Sequence, residues 1–287
     1  MKKNIVWLAS YPKSGNTWCR VFLANYLSKS DEPVNINHLN IGAIFSSRQI
    51  IEDNTGFDIS ELTADECDEL RSFAFEKWAE NYDENAFVKT HDAFVTLPSG
   101  ENMFPVRKTK AAVYFIRNPL DVAVSFANHL GTDPEKAAEK MCENKFCLAA
   151  SKKKYNQQIR QRLLSWSGHV QSWTTQNNFP VLVVRYENIL ENSEREFQSI
   201  LQFLNIPYNS ENFIKALKYS NFENMKKAEQ ETGFKEKSPA CKTFFKVGKS
   251  GYYKNILSEN LIQKIINEHF ACMKKYHYLS NSGELII

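Results

Sequence analysis

The first residues that could do chemistry cluster at positions 10–18, which read SYPKSGNTW. This stretch follows an apolar run and precedes a helical pattern, so it forms the turn between a strand and a helix. Lys13 supplies a positive charge, the Ser14 and Thr17 side chains supply hydroxyls, and Gly15 lets the backbone approach a ligand closely. Because the amides at a helix N-terminus attract anions, the turn predicts a phosphate site.

The turn differs from the P-loop of the ATP- and GTP-dependent enzymes. That loop reads G-x-x-x-x-G-K-[ST], with its lysine after the last glycine. Here Lys13 precedes Gly15 and no glycine leads the loop, which argues against a kinase or a nucleotide hydrolase. An ordinary β–α turn with a capping serine is the alternative that these residues leave open.

A second candidate segment, FIRNPLDVAVSF, carries Arg117 at the end of an apolar run and Ser125 inside the helical pattern that follows. Ligands of open α/β sheets bind at the carboxyl ends of the strands. The planar guanidinium of Arg117 also suits a phosphate dianion. The segment therefore predicts a second phosphate contact, with a surface arginine at the sheet edge as the alternative.

These turns need a sheet to position them, and four apolar runs supply its predicted strands. The runs are nearly continuous and rich in Val, Ile, Tyr and Phe, which is typical of parallel strands covered on both faces. They are residues 4–9, 86–91, 111–117 and 181–187. Helical patterns follow the three strongest runs, and Ser193 is predicted to cap the last of these helices. The sequence predicts an α/β fold, a P-loop-like doubly wound parallel sheet flanked by helices.

Three segments interrupt this rhythm. Residues 38–84 contain a polar helical stretch and residues 132–178 are also helical, so we expect variable helical inserts there. Residues 231–255 mix glycine, lysine and aromatic side chains without periodicity, which is typical of a functional lid. Because no linker divides the chain, we expect one domain over residues 1–287.

Composition is ordinary for a globular protein, with 43% hydrophobic and 24% charged residues among 287. The net charge of +3 fits a basic pocket for a small polyanion as well as a nucleic-acid surface, and we expect no nucleic-acid partner. The six cysteines lack C-x-x-C spacing and are interpreted as reduced thiols. Because no run reaches the ~18 apolar residues of a membrane span and no secretory signal is evident, we expect a cytoplasmic protein without a membrane partner.

The segments YPKSGNTW and RNPLDVAVSF together resemble the two signature motifs of the PAPS-dependent sulfotransferases, particularly their soluble branch. In that family the first motif binds the 5′-phosphosulfate of the nucleotide and the second binds its 3′-phosphate. The resemblance covers most of the chain and thins over residues 38–84 and 132–178. It implies a transferase that moves the sulfuryl group of PAPS to a hydroxyl or amine of a small molecule, leaving PAP, without a metal.

The resemblance also implies three catalytic residues. VKTHDAF resembles the family's K-T-H segment, whose histidine is the catalytic base, and this implies that role for His91. Lys13 would stabilise the charge that develops on the departing oxygen, and Lys89 would steady the sulfuryl oxygens. Without the resemblance, a single histidine after a strand is more often structural. The other five histidines are interpreted in that way: His38, His129, His169, His269 and His277.

Further segments resemble nucleotide-binding elements of the family. YSNFENM resembles its T-S-F segment, which implies that Phe222 packs on the adenine with Ser220 near the purine edge; Phe222 as helix core is the alternative. Tyr186 lies in VRYENI, which resembles the family's Y-E-D element. The residues assigned to the nucleotide are Lys13, Ser14, Gly15, Asn16, Thr17, Trp18, Arg117, Ser125, Tyr186, Ser220, Phe222, Phe245, Lys246, Val247 and Gly248.

The segment FFKVGKSGYYKN resembles the family's R-K-G-x-x-G-D-W-K lid, with differences. Lys246 stands in place of the arginine and Val247 in place of the lysine, whereas Gly248 is retained. The loss of one cation and of the planar fork is expected to change how tightly the lid binds the 3′-phosphate. The family's dimer motif is not matched at Ser258 and Glu259, which leaves the oligomeric state open.

The acceptor is the least specified part of the hypothesis. By analogy with the family, the segments expected to line its site are residues 38–60, 92–106, 132–170 and 231–245. They mix apolar and polar residues, and tailoring of a natural product or metabolite is the working interpretation. Two alternatives remain, a P-loop-type kinase that needs Mg²⁺ and ATP and a non-catalytic nucleotide-binding protein in which His91 is dispensable.

Overall fold

The structure, a computed structural model, describes residues 2–39, 41–149 and 157–286. Parts of the predicted inserts and acceptor segments, namely Asn40 and residues 150–156, lie outside the described residues. The strands are β1 (Ile5–Ser10), β2 (Ala43–Ile44), β3 (Ala86–Thr90), β4 (Thr109–Ile116), β5 (Cys147–Leu148), β6 (Gln161–Arg162) and β7 (Val181–Arg185).

The helices follow the chain between and after these strands. They are α1 (Asn16–Leu27), α2 (Arg48–Thr55), α3 (Ala64–Ala79), α4 (Pro119–Leu130), α5 (Pro134–Cys142), α6 (Trp166–Thr174), α7 (Tyr186–Glu191), α8 (Ser193–Phe203), α9 (Ser210–Tyr219), α10 (Phe222–Thr232) and α11 (Glu259–Lys275). A short 3₁₀ helix occupies Tyr252–Asn255.

The described chain divides into two compact units. The first contains residues 1–11, 42–114 and 144–183, and the second contains residues 12–41, 115–143 and 184–287. The prediction of one functional domain over residues 1–287 stays a prediction.

The first unit is organised by the sheet, whose strand order is β2-β3-β1-β4-β7. β1 runs parallel to β3, and β2 also runs parallel to β3. Every residue of β1 is buried, as its continuous apolar sequence predicts. Trp7 on β1 makes edge contacts at 4.9 Å with the rings of Phe45 and Phe104, and its indole N–H donates to Thr109 Oγ1 at 3.0 Å. The four predicted strands are all present.

The second unit is mainly helical, and its helix ends follow local sequence signals. Phe22 of α1 stacks on Phe197 of α8 with ring centroids 4.1 Å apart. α4 begins at Pro119 and ends before Gly131, as predicted. The predicted cap of α8 is wrong: Asn192 caps it by accepting from the Arg195 amide, and Ser193 is the first helical residue. Asparagine and serine are both good caps, but only Asn192 has the non-helical backbone that the capping position needs.

The prediction for residues 132–178 is correct only in part. Helices α5 and α6 occupy its ends, but β5 and β6 form an antiparallel pair between them, with Cys147 opposite Arg162. Strands of two residues each leave no periodicity that a sequence pattern would reveal. The six cysteines are free thiols, as expected. Within the described residues, no helix combines the length and the apolar character needed to cross a bilayer.

Candidate active site

The predicted phosphate turn joins the end of β1 to α1, and two of its residues have left-handed backbones. Gly15 has a φ of 102° and Lys13 has a φ of 70°. A Cβ atom at Gly15 would lie 2.9 Å from Cδ2 of Tyr186, so only glycine fits at this contact. No side chain among the described residues caps the N-terminus of α1. The helix thus begins as an anion-binding terminus does.

The hydroxyls of the turn are buried. Ser14 is 1% exposed, and its Oγ has no hydrogen-bond partner among the described residues. Thr17, in the first turn of α1, is 9% exposed. Leaving a buried hydroxyl unpaired costs about 1–3 kcal/mol, and a ligand oxygen at Ser14 would remove that cost. The chemistry of the turn therefore fits an anion.

Lys13 contributes two different groups. Its ammonium lies 3.3 Å from the centroid of the Phe244 ring, a cation–π contact. Its main-chain carbonyl accepts a hydrogen bond of 3.1 Å from Nη1 of Arg117. The two separated sequence motifs thus meet directly in the second unit. Lys13 and Arg117 are therefore in direct contact, and their binding of one nucleotide stays a prediction.

Arg117 follows the last residue of β4 and is 8% exposed. Its Nη2 donates to the Lys249 carbonyl at 3.2 Å, and its guanidinium lies 4.3 Å from the centroid of the Tyr186 ring. The Nε atom is buried without a hydrogen-bond partner among the described residues. Burial raises the pKa of Tyr186, and the charge of Arg117 opposes that rise. The Nε–H of the guanidinium is thus a buried donor that an anion could use.

Further predicted nucleotide residues lie on helices of the same unit or at their ends. Trp18 of α1 makes an edge contact with the Tyr186 ring at 6.0 Å. Ser125 is half-buried on α4. Ser220 is fully buried at the end of α9, where its hydroxyl faces the Leu217 carbonyl at 3.5 Å. The structure therefore brings these residues into one unit.

Phe222, the predicted adenine contact, opens α10 and touches the lid. From here on, the name lid is kept for residues 241–255, the C-terminal part of the predicted loop at 231–255. Gly248 has a φ of 65°, and a Cβ atom there would lie 2.5 Å from Phe222 Cδ2. Phe222 also packs, partly buried, against a core cluster that includes Phe245 and Val21. Because Phe222 is only partly buried, its position fits both the helix-core alternative and the predicted adenine contact.

Two of the positions where the lid differs from the family pattern, Lys246 and Val247, border a surface hollow. Lys246 is exposed and Val247 is half-buried. A second lysine, Lys249, lines the hollow with them, together with Ser250 and Tyr252. The sequence prediction did not include Lys249. Its place in the motif, three residues after Lys246, was the available signal.

Buried acids and an amide hold the lid, and sequence reasoning missed all of them. Asp121 of α4 accepts from the Gly251 and Tyr253 amides at 2.8 and 3.1 Å. Glu229 of α10 accepts from the amides of residues 244 and 245 at 2.7 and 2.9 Å. The Asn128 side chain donates to the Thr243 carbonyl at 3.0 Å. The available signal was an acid at a core-facing helical position, since buried carboxylates need partners.

The predicted base lies in the first unit. His91 follows the last residue of β3 and is half-buried. Its Nδ1 lies 2.8 Å from the Ser10 carbonyl and 3.3 Å from the Ser10 hydroxyl. A carbonyl only accepts, so Nδ1 carries the proton and donates. When the ring is neutral, Nε2 is therefore the unprotonated nitrogen. This tautomer is the one a general base needs if it acts through Nε2.

The neighbours of His91 are closely bonded. Nε2 of His169 donates to the His91 carbonyl at 3.1 Å, and the Trp173 indole N–H donates to the Asp92 carbonyl at 2.9 Å. Lys89, near the end of β3, is half-buried, and its carbonyl accepts from the Phe45 amide at 2.9 Å. The catalytic roles of Lys13, Lys89 and His91 stay predictions.

The sulfotransferase domain family model matches residues 3–277. Cytosolic sulfotransferase 12 of Arabidopsis thaliana is 24% identical over 284 residues, which cover 92% of this chain and 76% of that protein. A structure of mouse sulfotransferase SULT7A1 complexed with PAP has a TM-score of 0.58 and 20% identity, covering 99% of this chain and 88% of that one. Retinol dehydratase in complex with androsterone and inactive cofactor PAP has a TM-score of 0.62 and 18% identity, covering 96% and 82%.

The chain belongs to the sulfotransferase family. The predicted enzyme class, a sulfotransferase, is therefore confirmed. The predicted fold class is confirmed as well, an α/β fold with a parallel central sheet flanked by helices.

Proposed function

We propose that the protein transfers the sulfuryl group of PAPS to a hydroxyl or amine of a small-molecule acceptor, with His91 as the base. The observation that carries the proposal is the hydrogen bond from Arg117 to the Lys13 carbonyl, because it joins the two phosphate motifs in one unit. A nucleotide with phosphates at both ends of its ribose would need these motifs side by side.

The residues of the second unit fit such a nucleotide. The Ser14 hydroxyl and the Arg117 Nε are buried polar donors without partners among the described residues, and the start of α1 has no side-chain cap. PAPS, when bound, would supply an activated sulfuryl group and a stable leaving group. Lys13 would stabilise charge on the leaving oxygen, Arg117 would bind the 3′-phosphate, and Phe222 would contact the adenine.

The first unit would supply the proton acceptor. With its Nδ1 proton donated to the Ser10 carbonyl, His91 would take the acceptor's proton at Nε2. Lys89, two residues earlier on β3, would steady the sulfuryl oxygens.

The acceptor we propose is a small metabolite or natural product, and the location we propose is the cytoplasm. The relatives support both points, since one is a plant protein named a cytosolic sulfotransferase and one structural neighbour was solved with the steroid androsterone. Within the described residues, no group of three or more acidic, histidine or cysteine side chains is arranged to hold a metal ion. We propose that the lysines and Arg117 stabilise the charge in place of a metal.

Two measurements on the purified chain test this function. Calorimetry with 3′,5′-ADP and with 5′-AMP should show binding of 3′,5′-ADP that is at least about 30-fold tighter, since one charged hydrogen-bonded contact contributes about 2 kcal/mol. Labelled PAPS should then transfer its sulfur to at least one member of a panel of phenols, steroid alcohols and amines. Equal binding of the two nucleotides, or Mg²⁺-dependent turnover of ATP, would contradict the proposal.

A further inference from the structure

A second histidine lies directly behind His91 in the first unit. His169 of α6 is fully buried and uses both ring nitrogens. Its Nε2 lies 3.1 Å from the His91 carbonyl, and its Nδ1 lies 2.8 Å from the Tyr114 hydroxyl. Nothing in the sequence motifs assigns a role to His169 or Tyr114.

The bonding pattern fixes the tautomer of His169. A carbonyl only accepts, so Nε2 carries a proton and donates to His91. Burial lowers the pKa of His169 to about 3, so the ring is neutral at ordinary pH and Nδ1 has no proton. The Tyr114 hydroxyl must therefore donate to Nδ1. Tyr114 thus keeps the His169 proton on the nitrogen that faces His91.

The contact matters because His91 lies just beyond the end of β3, where the strand pairing no longer holds the chain. The bonds that hold His91 include the one from its Nδ1 to the Ser10 carbonyl and the one from His169 to the His91 carbonyl. The next carbonyl, that of Asp92, accepts from Trp173, which lies one helical turn after His169. One face of α6 therefore donates hydrogen bonds to two successive carbonyls, those of His91 and Asp92.

We propose that His169 and Tyr114 are positioning residues that orient His91 for proton transfer. This inference rests on the proposed function, in which His91 is the base. His169 touches the main chain of His91, so it acts through the base and not on the substrate. Its neutral ring also places no positive charge beside His91, where such a charge would make that histidine a weaker base.

The test compares a substitution of His169 that keeps a hydrogen-bond donor with one that removes it. His169→Gln keeps an N–H donor that can reach the His91 carbonyl, whereas His169→Leu removes it. We expect kcat to fall about 10- to 100-fold in His169→Leu, since a misplaced reacting group costs up to about 10²-fold, and to fall only a few-fold in His169→Gln. Tyr114→Phe, a milder change, should lower kcat about 3- to 10-fold for the same reason. The Kd of 3′,5′-ADP should stay within twofold in all three.

Trp173→Phe is the matched control. It removes the neighbouring bond to the Asp92 carbonyl, but Asp92 is still held by its carboxylate, which contacts Arg71 at 2.9 Å and accepts from the Arg162 amide at 2.8 Å. We expect this variant to lose thermal stability and to change kcat by less than about threefold, since its base remains in place. Equal loss of kcat in Trp173→Phe and His169→Leu would overturn the positioning role.

A double-mutant cycle separates this inference from the proposed function. If His169 acts through His91, the His91→Asn/His169→Leu double variant should be no slower than His91→Asn alone. Multiplicative losses would overturn the inference while leaving His91 as the base. Full activity in His91→Asn would instead contradict the proposed base. Should His169→Leu not fold, the same cycle with Tyr114→Phe gives the same decision.

Discussion

Two regions of the molecule differ in how far their buried polar groups are hydrogen-bonded within the protein. The nucleotide region, defined as residues 12–18, 117–125, Tyr186 and the lid, contains buried donors without partners among the described residues. The base corner, defined as Ser10, His91, Tyr114 and His169, is linked by a chain of hydrogen bonds of 2.8 to 3.1 Å. A binding region gains affinity when a ligand completes its hydrogen bonds, whereas a base gains from neighbours that fix one tautomer in advance. The difference indicates two kinds of pre-organisation.

Replacing the base should give the largest effect. His91→Asn removes the nitrogen that accepts the proton, and general base catalysis contributes about 10²- to 10⁴-fold. We expect kcat to fall by that factor while the Kd of 3′,5′-ADP, measured by calorimetry, changes less than about twofold because the nucleotide region is untouched.

The matched control is His277→Asn. His277 is exposed and has a φ of 58°, a backbone conformation that asparagine tolerates. Activity at the parent level in this control, together with a large loss in His91→Asn, supports a division of labour between the two regions. A parallel loss of nucleotide affinity in His91→Asn would remove that division.

The next largest effect should come from Arg117→Lys in the nucleotide region. Lysine keeps the charge but loses the planar fork that reaches two carbonyls while stacking on Tyr186. We expect the Kd of 3′,5′-ADP to rise about 10- to 100-fold, the equivalent of one or two charge-assisted hydrogen bonds. Exposed Arg107→Lys should leave it unchanged. An unchanged Kd in Arg117→Lys would show that charge alone is needed.

A smaller effect should follow from Gly248→Ala in the lid. The new Cβ would lie 2.5 Å from Phe222, so the predicted adenine contact must shift. We expect the Kd of 3′,5′-ADP to rise about tenfold, with strain and displacement together costing about 1–2 kcal/mol. Gly56→Ala is the control, because Gly56 has a φ of 74° with no atom within 4 Å of the new Cβ. Equal effects on nucleotide affinity would mean that Phe222 does not contact the nucleotide.

Local sequence signals predicted much of this arrangement. The apolar runs predicted β1, β3, β4 and β7, and the two motifs predicted the turn and the arginine that the structure joins. The lid anchors Asp121 and Glu229 were missed because each carboxylate binds amides more than ten residues away, and no local pattern encodes that pairing. His169 was interpreted as structural because its partners, His91 and Tyr114, are also distant in the sequence.

The smallest effect concerns whether a buried neutral histidine is special to the base corner. His269 of α11, in the second unit, is also buried, and burial lowers its pKa to about 4. Between about pH 4 and 6.5 the unfolded chain therefore binds a proton that the folded chain does not, so His269 makes the free energy of unfolding fall as the pH is lowered through this window. His269→Gln should reduce that fall by at most about 1.4 kcal/mol per pH unit, as measured by urea unfolding at several pH values. Because His269 lies outside the base corner, kcat at neutral pH should stay at the parent level in His269→Gln, whereas His169→Leu should lower it. Loss of kcat in both variants among fully folded protein would mean that burial of a neutral imidazole, and not its bond to His91, is what the activity requires.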